Sequence, residues 1–502
     1  MSRRVNVRKI LSKRILFSFV GLPLLLAATL LVAVQYRFYV ANRLQLYSTL
    51  PTEPALERNA RIVIFAPHCD DESLAAAGLI RMAGKAGCKV KVVTLTNGDG
   101  FRAAVGREYH RLRVSPRDCI RFAKERQKDT LAATAVLGLS ADDVIFLGYP
   151  DRGLLPMWTT YWSPERPYRS LYTKMTRSPY ANSYRPHAIY CGQYVFQDIR
   201  SILAVYRPTA VYVPHPSDDH PDHAIAYSFV TAALASLQSS PRSPLKKTLV
   251  RTYLVHRGGW PTPWGWKPTL PLRPPAGLAD LDTTWDELSL SKDVILLKRK
   301  AIRTYDNQMA MMGKFLLSFA RRNELFGGLK TREVTLRPDG KMFVDGETDD
   351  WKGIRPAARD PVRDSILRSF GRAGDVRSLY LCADRSNLYV RLDFARRLSP
   401  RVVYHVGVRS FGKTTRGGQT RFWEVMLRPG RSCEPSGVYY AWNGSVLELA
   451  TPRSALEPLD RVYVGADTSA MRVKIDKTGW RGYSFPADRA RYNKEGTPRS
   501  DE

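Results

Sequence analysis

The chain has 502 residues, room for two or three domains, and sets 78 Lys and Arg against 47 Asp and Glu, a formal net charge of +31. That field attracts polyanions, yet no nucleic-acid-binding module is found along the chain, so no nucleic acid is expected; anionic lipid head groups or acidic glycans fit better. Six cysteines, Cys69, Cys88, Cys119, Cys191, Cys382 and Cys433, are too few and scattered for a disulfide framework; if one pair bridges, Cys119 with Cys191 is the expectation.

Ile15 to Val34 is free of charged residues and long enough, at about 20 residues, to cross a bilayer as a helix. Arg3, Arg4, Arg8, Lys9, Lys13 and Arg14 precede it, which keeps the tail of residues 1–14 cytoplasmic and sends everything after residue 34 to the extracytoplasmic side. Leu31-Val32-Ala33 is a poor match to a signal-peptidase site, so an uncleaved single-pass anchor is expected, in a compartment without nucleic acid.

Beyond the anchor, apolar β-rich segments at 61–65, 89–96, 143–147, 209–213 and 248–256 alternate with helical patterns at 73–86, 115–137, 194–206 and 223–238. Alternation of this kind predicts an α/β domain: a Rossmann-like, mostly parallel sheet with helices on both faces. The periodicity lapses from Met157 to Tyr194, a stretch expected to wall a cleft because loops of that length are usually functional or disordered. A long helical pattern from Ser291 to Phe326 closes a domain spanning 58–327. After Gly327-Gly328, short strand-like pieces at 379–382, 388–392, 402–408 and 422–427, with a hairpin at 438–449 around a type I′ Asn443-Gly444 turn, predict an all-β domain over 335–487. The tract Trp260-Pro261-Thr262-Pro263-Trp264-Gly265-Trp266 is expected to pack over a domain edge rather than to stack on a sugar.

The chemistry concentrates in two turns. Ala66-Pro67-His68-Cys69-Asp70-Asp71-Glu72 follows the first strand, and His215-Pro216-Ser217-Asp218-Asp219-His220-Pro221-Asp222-His223 follows the fourth. Imidazole and carboxylate donors offered by two strand ends, with positions left open, make the ligand set of a catalytic zinc. Helix capping by Asp70 and Asp222 is the bland alternative, but it does not call for two His-Asp clusters. Asp99, Arg126 and Asp151 stand at or after further strand ends, where open α/β sheets place ligand groups; substrate contact and surface ion pairing are both open for them. His256 is open in the same way, between the pocket and a structural role.

The H-x-D-D-E turn and the P-x-D-x-H-P-D-H turn resemble those of the LmbE-like/PIG-L family of zinc-dependent N-acetylglucosaminyl de-N-acetylases. Thr96-Asn97-Gly98-Asp99, Arg126, Leu147-Gly148-Tyr149-Pro150-Asp151, Tyr253 to Gly258 and Tyr305-Asp306-Asn307-Gln308 follow in the family's order. Cys69 replaces the usual Pro, and Asp129 stands where the family pattern places Glu. The resemblance implies that His68, Asp71 and His223 hold Zn2+, with Asp70 as general base. It implies that His220 stabilises the oxyanion or protonates the departing amine, and that Asp218 and Asp222 orient the imidazoles. Cys69 as a soft ligand is a minor alternative. In the C-terminal domain, Val344 to Trp351, Leu379 to Asp384 and Asn387 to Leu392 resemble family-nine-type carbohydrate-binding and DOMON-like β-sandwiches. Trp351, Trp423 and Trp442 are candidates either for stacking on sugar rings or for the sandwich core.

The expected function is a membrane-anchored zinc hydrolase removing acetate from an N-acetylated amino sugar of a glycan or glycoconjugate. The alternatives are a non-catalytic envelope polysaccharide-binding protein and an amidase acting on a small thiol-sugar or antibiotic precursor.

Overall fold

Strand β1 (Arg61–Ala66) reads RIVIFA, an almost unbroken apolar run, and all but its first residue is buried. Such a run suits a strand covered on both faces at the centre of a parallel sheet. The structure, a computed structural model, describes residues 49–486 except 280, 331, 363, 365–371, 413–419 and 430–437, together with positions 29, 33, 36 and 40. Apart from Thr29 and Ala33 the expected tail and anchor lie outside the described residues, among which no helix is long and apolar enough to cross a membrane.

From β1 the chain runs through helix α1 (Asp71–Lys85), β2 (Lys89–Thr96), α2 (Arg102–Glu108), α3 (Pro116–Leu137), β3 (Val144–Tyr149), α4 (Leu154–Thr159), α5 (Gly192–Tyr206), β4 (Ala210–Pro214), α6 (Pro221–Gln238) and β5 (Leu249–Tyr253). Helix α3 shows why the boundaries are sharp. Ser115 and Asp118 form a reciprocal capping box with Pro116 in the first turn, and Gly138 ends the helix in the left-handed conformation at φ 100°.

The sheet order is β3-β2-β1-β4-β5, all parallel, followed by β7 (Asn323–Leu329) and β6 (Thr283–Ser289), which run antiparallel. The chain winds from β1 outward through β2 and β3, then returns to place β4 on the other flank of β1. The carboxyl ends of β1 and β4 therefore border the topological switch point, where such sheets bind ligands.

The long helix expected over 291–326 is instead two helices, α7 (Lys292–Ile302) and α8 (Asp306–Leu317), followed by strand β7. Helical periodicity carried through Leu325-Phe326 is overridden by tertiary pairing. Strand β7 hydrogen-bonds to β6, and its Glu324 carboxylate accepts from the Gly78 and Leu79 amides at 2.7 and 2.8 Å, just past a kink at Ala76 in α1. Gly327 and Gly328 lie inside this strand, so the domain boundary falls after Leu329.

The C-terminal domain is two six-stranded sheets. One runs β10 (Ala358–Arg359), β11 (Val376–Ala383), β12 (Asn387–Phe394), β16 (Val446–Pro452) and β15 (Tyr439–Asn443), with β9 (Thr335–Leu336) beside β11. The other runs β14 (Thr420–Leu427), β13 (Val403–Phe411), β17 (Arg461–Ala470), β19 (Arg481–Ser484) and β8 (Arg332–Glu333), with β18 (Val473–Lys477) beside β17. Their facing side chains, among them Val390, Leu392, Leu449, Val406, Val408 and Val464, share one buried cluster. The β15–β16 register pairs Asn443 with Val446, so the hairpin loop is Gly444-Ser445 with Gly444 at φ 55°. Asn443 closes β15 instead of entering the loop, and neither Asn443 nor Ser445 has positive φ, so the expected type I′ turn at Asn443-Gly444 does not form.

The two domains share a core. Trp158, fully buried on α4, packs on Phe229 of α6 and on Phe411, Tyr463 and Trp480 of the β domain. Buried Arg409 donates to the carbonyls of Trp158 at 2.7 Å and Thr159 at 3.1 Å, and desolvation lowers its pKa to about 9. The 160–191 stretch supplies Tyr168 and Tyr190 to the same core. Against the expectation for 157–194, no residue of that stretch lines the cavity at the His/Asp turns: Trp162 packs on Phe411 of the β domain, Tyr190 packs on Tyr149, and Tyr180 donates to Asp99.

Candidate active site

At the end of β1 the chain turns sharply into α1. Asp70 sits at the helix N-cap with φ 134° and ψ −27°, yet its side chain makes no capping bond. A backbone held in so sparsely populated a region costs on the order of 1–3 kcal/mol and is tolerated where the side chain has another task. The Asp70 carboxylate turns toward Arg126, whose Nη2 lies 3.1 Å from Oδ2. Arg126, itself buried, also donates to the Cys69 carbonyl and, at 3.2 Å, to the Gly98 carbonyl. Gly98 is required: a Cβ there, at φ 64°, would stand 1.6 Å from Arg126 Nη1. With its amide oxygen turned to the guanidinium, Gln308 of α8 accepts from Nη2 at 3.0 Å.

Behind Asp70, three donors close a triangle. His68 Nδ1 lies 3.1 Å from His223 Nε2, His223 Nε2 lies 3.1 Å from Asp71 Oδ2, and Asp71 Oδ2 lies 3.4 Å from His68 Nδ1. Donors about 2.0–2.2 Å from a tetrahedral zinc stand roughly 3.3–3.5 Å from one another, so the three atoms fit one such ion. His68 Nε2 and Asp71 Oδ1 have no hydrogen-bond partner among the described residues. His256 can also reach Asp71 and His223, and His220 can reach His68 and His223.

Carboxylates stand at ion-pair distance from the far nitrogens of the imidazoles, without hydrogen-bond alignment. His223 Nδ1 lies 3.3 Å from Asp218 Oδ2, and the same carboxylate accepts from the amides of His220, Val255 and His256 at 2.9–3.0 Å. His68 Nε2 lies 3.4 Å from Asp151 Oδ1 and 3.6 Å from Asp222 Oδ2, ion-pair distances without hydrogen-bond alignment. Asp222 accepts from the Arg152 and Leu154 amides at 2.6 and 3.1 Å. His220 is the N-cap of α6, its Nδ1 accepting from the Asp222 amide at 3.3 Å; that leaves the proton on Nε2.

The electrostatics follow from burial. Asp70 is pushed up to about 7 by desolvation, against the pull of Arg126 and with repulsion from Asp71. His220 is held well below its usual value by desolvation and by its neighbours His68 and His223, so it is a neutral hydrogen-bond donor. Burial opposes charge on His223, but Asp71 and Asp218 outweigh it and raise the imidazole to about 9. Five buried carboxylates, Asp70, Asp71, Asp151, Asp218 and Asp222, stand with one buried permanent cation, Arg126, and the exposed Arg152 on the cavity lining, and this excess of negative charge suits a bound divalent ion.

A cavity of about 270 Å3 opens on this cluster, with His68, Asp70, Arg126, Asp151, His220 and His256 on its polar side and Leu74, Phe101, Met312, Phe315 and Leu316 on its apolar side. A larger cavity, about 440 Å3, lies between α6 and the β domain and holds no such cluster.

The structure thus brings together His68, Asp70, Asp71, Asp151, Asp218, His220, Asp222, His223, Arg126 and His256. Asp99 is set apart: fully buried and outside the cavity lining, it accepts from the Asp151 amide at 3.0 Å and Tyr180 at 2.9 Å. Its place is behind Asp151 rather than against a substrate. Asp129 does not line the cavity either. His215 is a satisfied structural histidine, bonded to Thr283 at 2.8 Å and to the Ser217 amide at 3.0 Å.

Cys69 packs with Val144 and Phe146 and is no ligand, burial raising its thiol to about 12. Cys69, Cys88, Cys119, Cys191 and Cys382 are all free, so the Cys119–Cys191 bridge does not form; Cys433 lies outside the described residues. Among the tryptophans, Trp351 is buried at 3% exposure and Trp423 packs on the sandwich core, so neither presents a stacking face. Trp442 is 39% exposed and stacked on Tyr440. Sequence reasoning missed the apolar wall from Phe101 and α8, and the buttress in which Tyr305 Oη donates to Glu72.

Fold and site define a parallel α/β protein with a His/Asp centre at its switch point. Residues 63–234 match the family model of the PIG-L GlcNAc-PI de-N-acetylases, a segment that contains both His/Asp turns. Among solved structures, the N,N'-diacetylchitobiose deacetylase of Pyrococcus horikoshii is 18% identical, covering 53% of this chain and 82% of its own, at a TM-score of 0.32. A conserved protein of Thermus thermophilus is 20% identical over 52% of this chain and 84% of its own, TM-score 0.32. The 4-carboxy-2-hydroxymuconate hydratase of Pseudomonas putida is 16% identical over 52% and 82%, TM-score 0.33.

Proposed function

We propose that the protein is a zinc-dependent hydrolase that removes acetate from an N-acetylated amino sugar. The observation carrying this reading is the triangle of His68 Nδ1, Asp71 Oδ2 and His223 Nε2, set beside an unligated acid, Asp70, and a neutral imidazole, His220, in one cavity. The match of residues 63–234 to the GlcNAc-PI de-N-acetylase family supports an amino-sugar amide as the substrate class.

His68, Asp71 and His223 would hold the ion. When bound, zinc supplies a Lewis acid for the acetamide carbonyl and brings the pKa of water towards neutrality. The residues do the rest. Asp70, kept from capping its helix and steadied by Arg126, takes the proton of the attacking water. His220, its Nδ1 occupied by the Asp222 amide, presents Nε2–H to the developing oxyanion. As the C–N bond breaks, the proton held by Asp70 passes to the amine, and acetate and the free amino sugar leave. Asp218 and Asp222 hold the imidazole rings in register, while Phe101, Met312 and Phe315 give the sugar's apolar face a wall and exclude water.

The segment 15–34 would anchor this enzyme in a membrane with the catalytic domain on the extracytoplasmic side, and the exposed Trp442, backed by the half-buried Tyr440, would offer the β domain a glycan contact. Metal analysis of the purified protein, paired with acetate release from N-acetylglucosamine glycans, tests the reading. Protein that binds no divalent metal and releases no acetate would overturn it.

A further inference from the structure

Outside the active site a second group of carboxylates converges at the junction of the two domains. Asp360 follows β10 and Asp476 lies on β18, 4% and 7% exposed. With Asp364 they bring one oxygen each to within 4.8 Å of the others. Asp360 Oδ2 and Asp364 Oδ1 have no hydrogen-bond partner among the described residues. Among the described residues the cation touching the group is Arg257, from the loop after β5. Its Nη2 pairs with Asp364, but its Nη1 is already engaged by the Ser217 carbonyl and Asp219, both at 3.0 Å. The neighbouring Arg481 donates to Asp282 instead. Among the described residues, two buried carboxylates and the half-buried Asp364 face part of one guanidinium and the Val376 amide, which donates to Asp476 at 2.8 Å; oxygens of Asp360 and Asp364 stay unpaired, an arrangement that burial penalises. Desolvation raises all three carboxyls, helped by repulsion from the other two at Asp360 and from Asp364 at Asp476, and at Asp364 by repulsion from Asp219 against the pull of Arg257.

We infer that Asp360, Asp364 and Asp476 form a calcium site, distinct from the zinc centre, that ties the β domain to the catalytic loop. The donors are oxygen alone, without imidazole or thiolate, which selects a hard cation. Oxygens that lie within 4.8 Å of one another and come from separate elements suit the flexible 2.3–2.6 Å shell of Ca2+ better than the strict octahedron of Mg2+. Two links carry the site to the active centre. Arg257 holds Ser217 and Asp219, and Lys477, next to Asp476 in the chain, donates from Nζ to the Asp218 carbonyl at 2.7 Å and the Asp219 carbonyl at 3.2 Å. A cation here therefore stiffens the loop that carries Asp218 and His220.

The test is calorimetric titration of the full-length, zinc-loaded protein with CaCl2 and, separately, MgCl2, alongside melting curves at each concentration. One equivalent of Ca2+ should bind and Tm should rise with its concentration, as ligand linkage requires; Asp360→Asn and Asp476→Asn should each abolish both effects while zinc content stays at one equivalent. The wild-type arm stands without the variants: no Ca2+ uptake and superimposable melting curves overturn the inference, leaving a cluster neutralised by protons. Uptake of Mg2+ in place of Ca2+ overturns the choice of ion, and Ca2+ binding that survives in both variants overturns the assignment of the residues.

Discussion

Asp70→Asn separates the proposed chemistry from the architecture, because the amide is nearly isosteric but cannot take a proton from water. Positioned general bases contribute roughly 10²- to 10⁴-fold to turnover, so kcat should fall by that factor, about 3–5.5 kcal/mol of barrier, with zinc retained. The same substitution has an opposite effect on stability. The native state lifts the Asp70 pKa from 3.8 to about 7, so it binds that proton more tightly than the unfolded chain does. This contribution is fully present below pH 3.8, fades as pH rises through 7, and leaves ionised Asp70 costing up to about 4 kcal/mol at 1.36 kcal/mol per unit. Asparagine is neutral throughout. The metal-free variant should therefore melt several degrees above metal-free wild type at pH 8, with the gap closing towards pH 4. Acetate-release kinetics and thermal melts check the two halves. Wild-type turnover in the variant, or a lower melting temperature at pH 8, would refute the reasoning.

Other perturbations give distinct signatures. His68→Ala and His223→Ala should each lose both zinc and activity, since a three-donor site cannot drop a ligand and keep its geometry; metal analysis decides. His220→Ala should keep its zinc with kcat down roughly 10²- to 10³-fold, as expected for one missing oxyanion donor, and a matching fall in metal content would point to a ligand role instead. The kcat/KM profile should rise with pH as Asp70 deprotonates, with an apparent pKa at or below about 7 because a bound cation favours the carboxylate; a profile flat from pH 4 to 8 would contradict this. A chain ended after Lys330 would bare Trp158 and Phe229 and lose the Lys477 contacts to the 215–220 loop, so it should lose activity on short and polymeric substrates alike, measured side by side.

Much of the catalytic domain was legible because each local signal agreed with the fold. The apolar run of β1, the Ser115/Asp118 cap and the two His-Asp turns all act over a few residues, and the parallel sheet then sets the ends of β1 and β4 side by side. What escaped depends on distant partners. Glu324 reads as a helix residue until its bonds to Gly78 and Leu79 are seen. Trp351 stays open between a sugar platform and the sandwich core until its burial at 3% exposure settles it for the core. Asp99 resembles a ligand group by position, and only its bonds to Tyr180 and the Asp151 amide show that it supports the site from behind. The contact between the two domains escaped for the same reason: no local pattern shows that Arg409 reaches the carbonyls of Trp158 and Thr159.

The central claim is that zinc held by His68, Asp71 and His223 works with Asp70 and His220 to deacetylate an amino sugar. Its most direct test is acetate release from N-acetylglucosamine glycans by chelator-stripped protein as zinc is added back. The account predicts no release without zinc, a linear rise to one equivalent, and a plateau beyond it. Release at full rate by the stripped protein, or none at any zinc level, would contradict it.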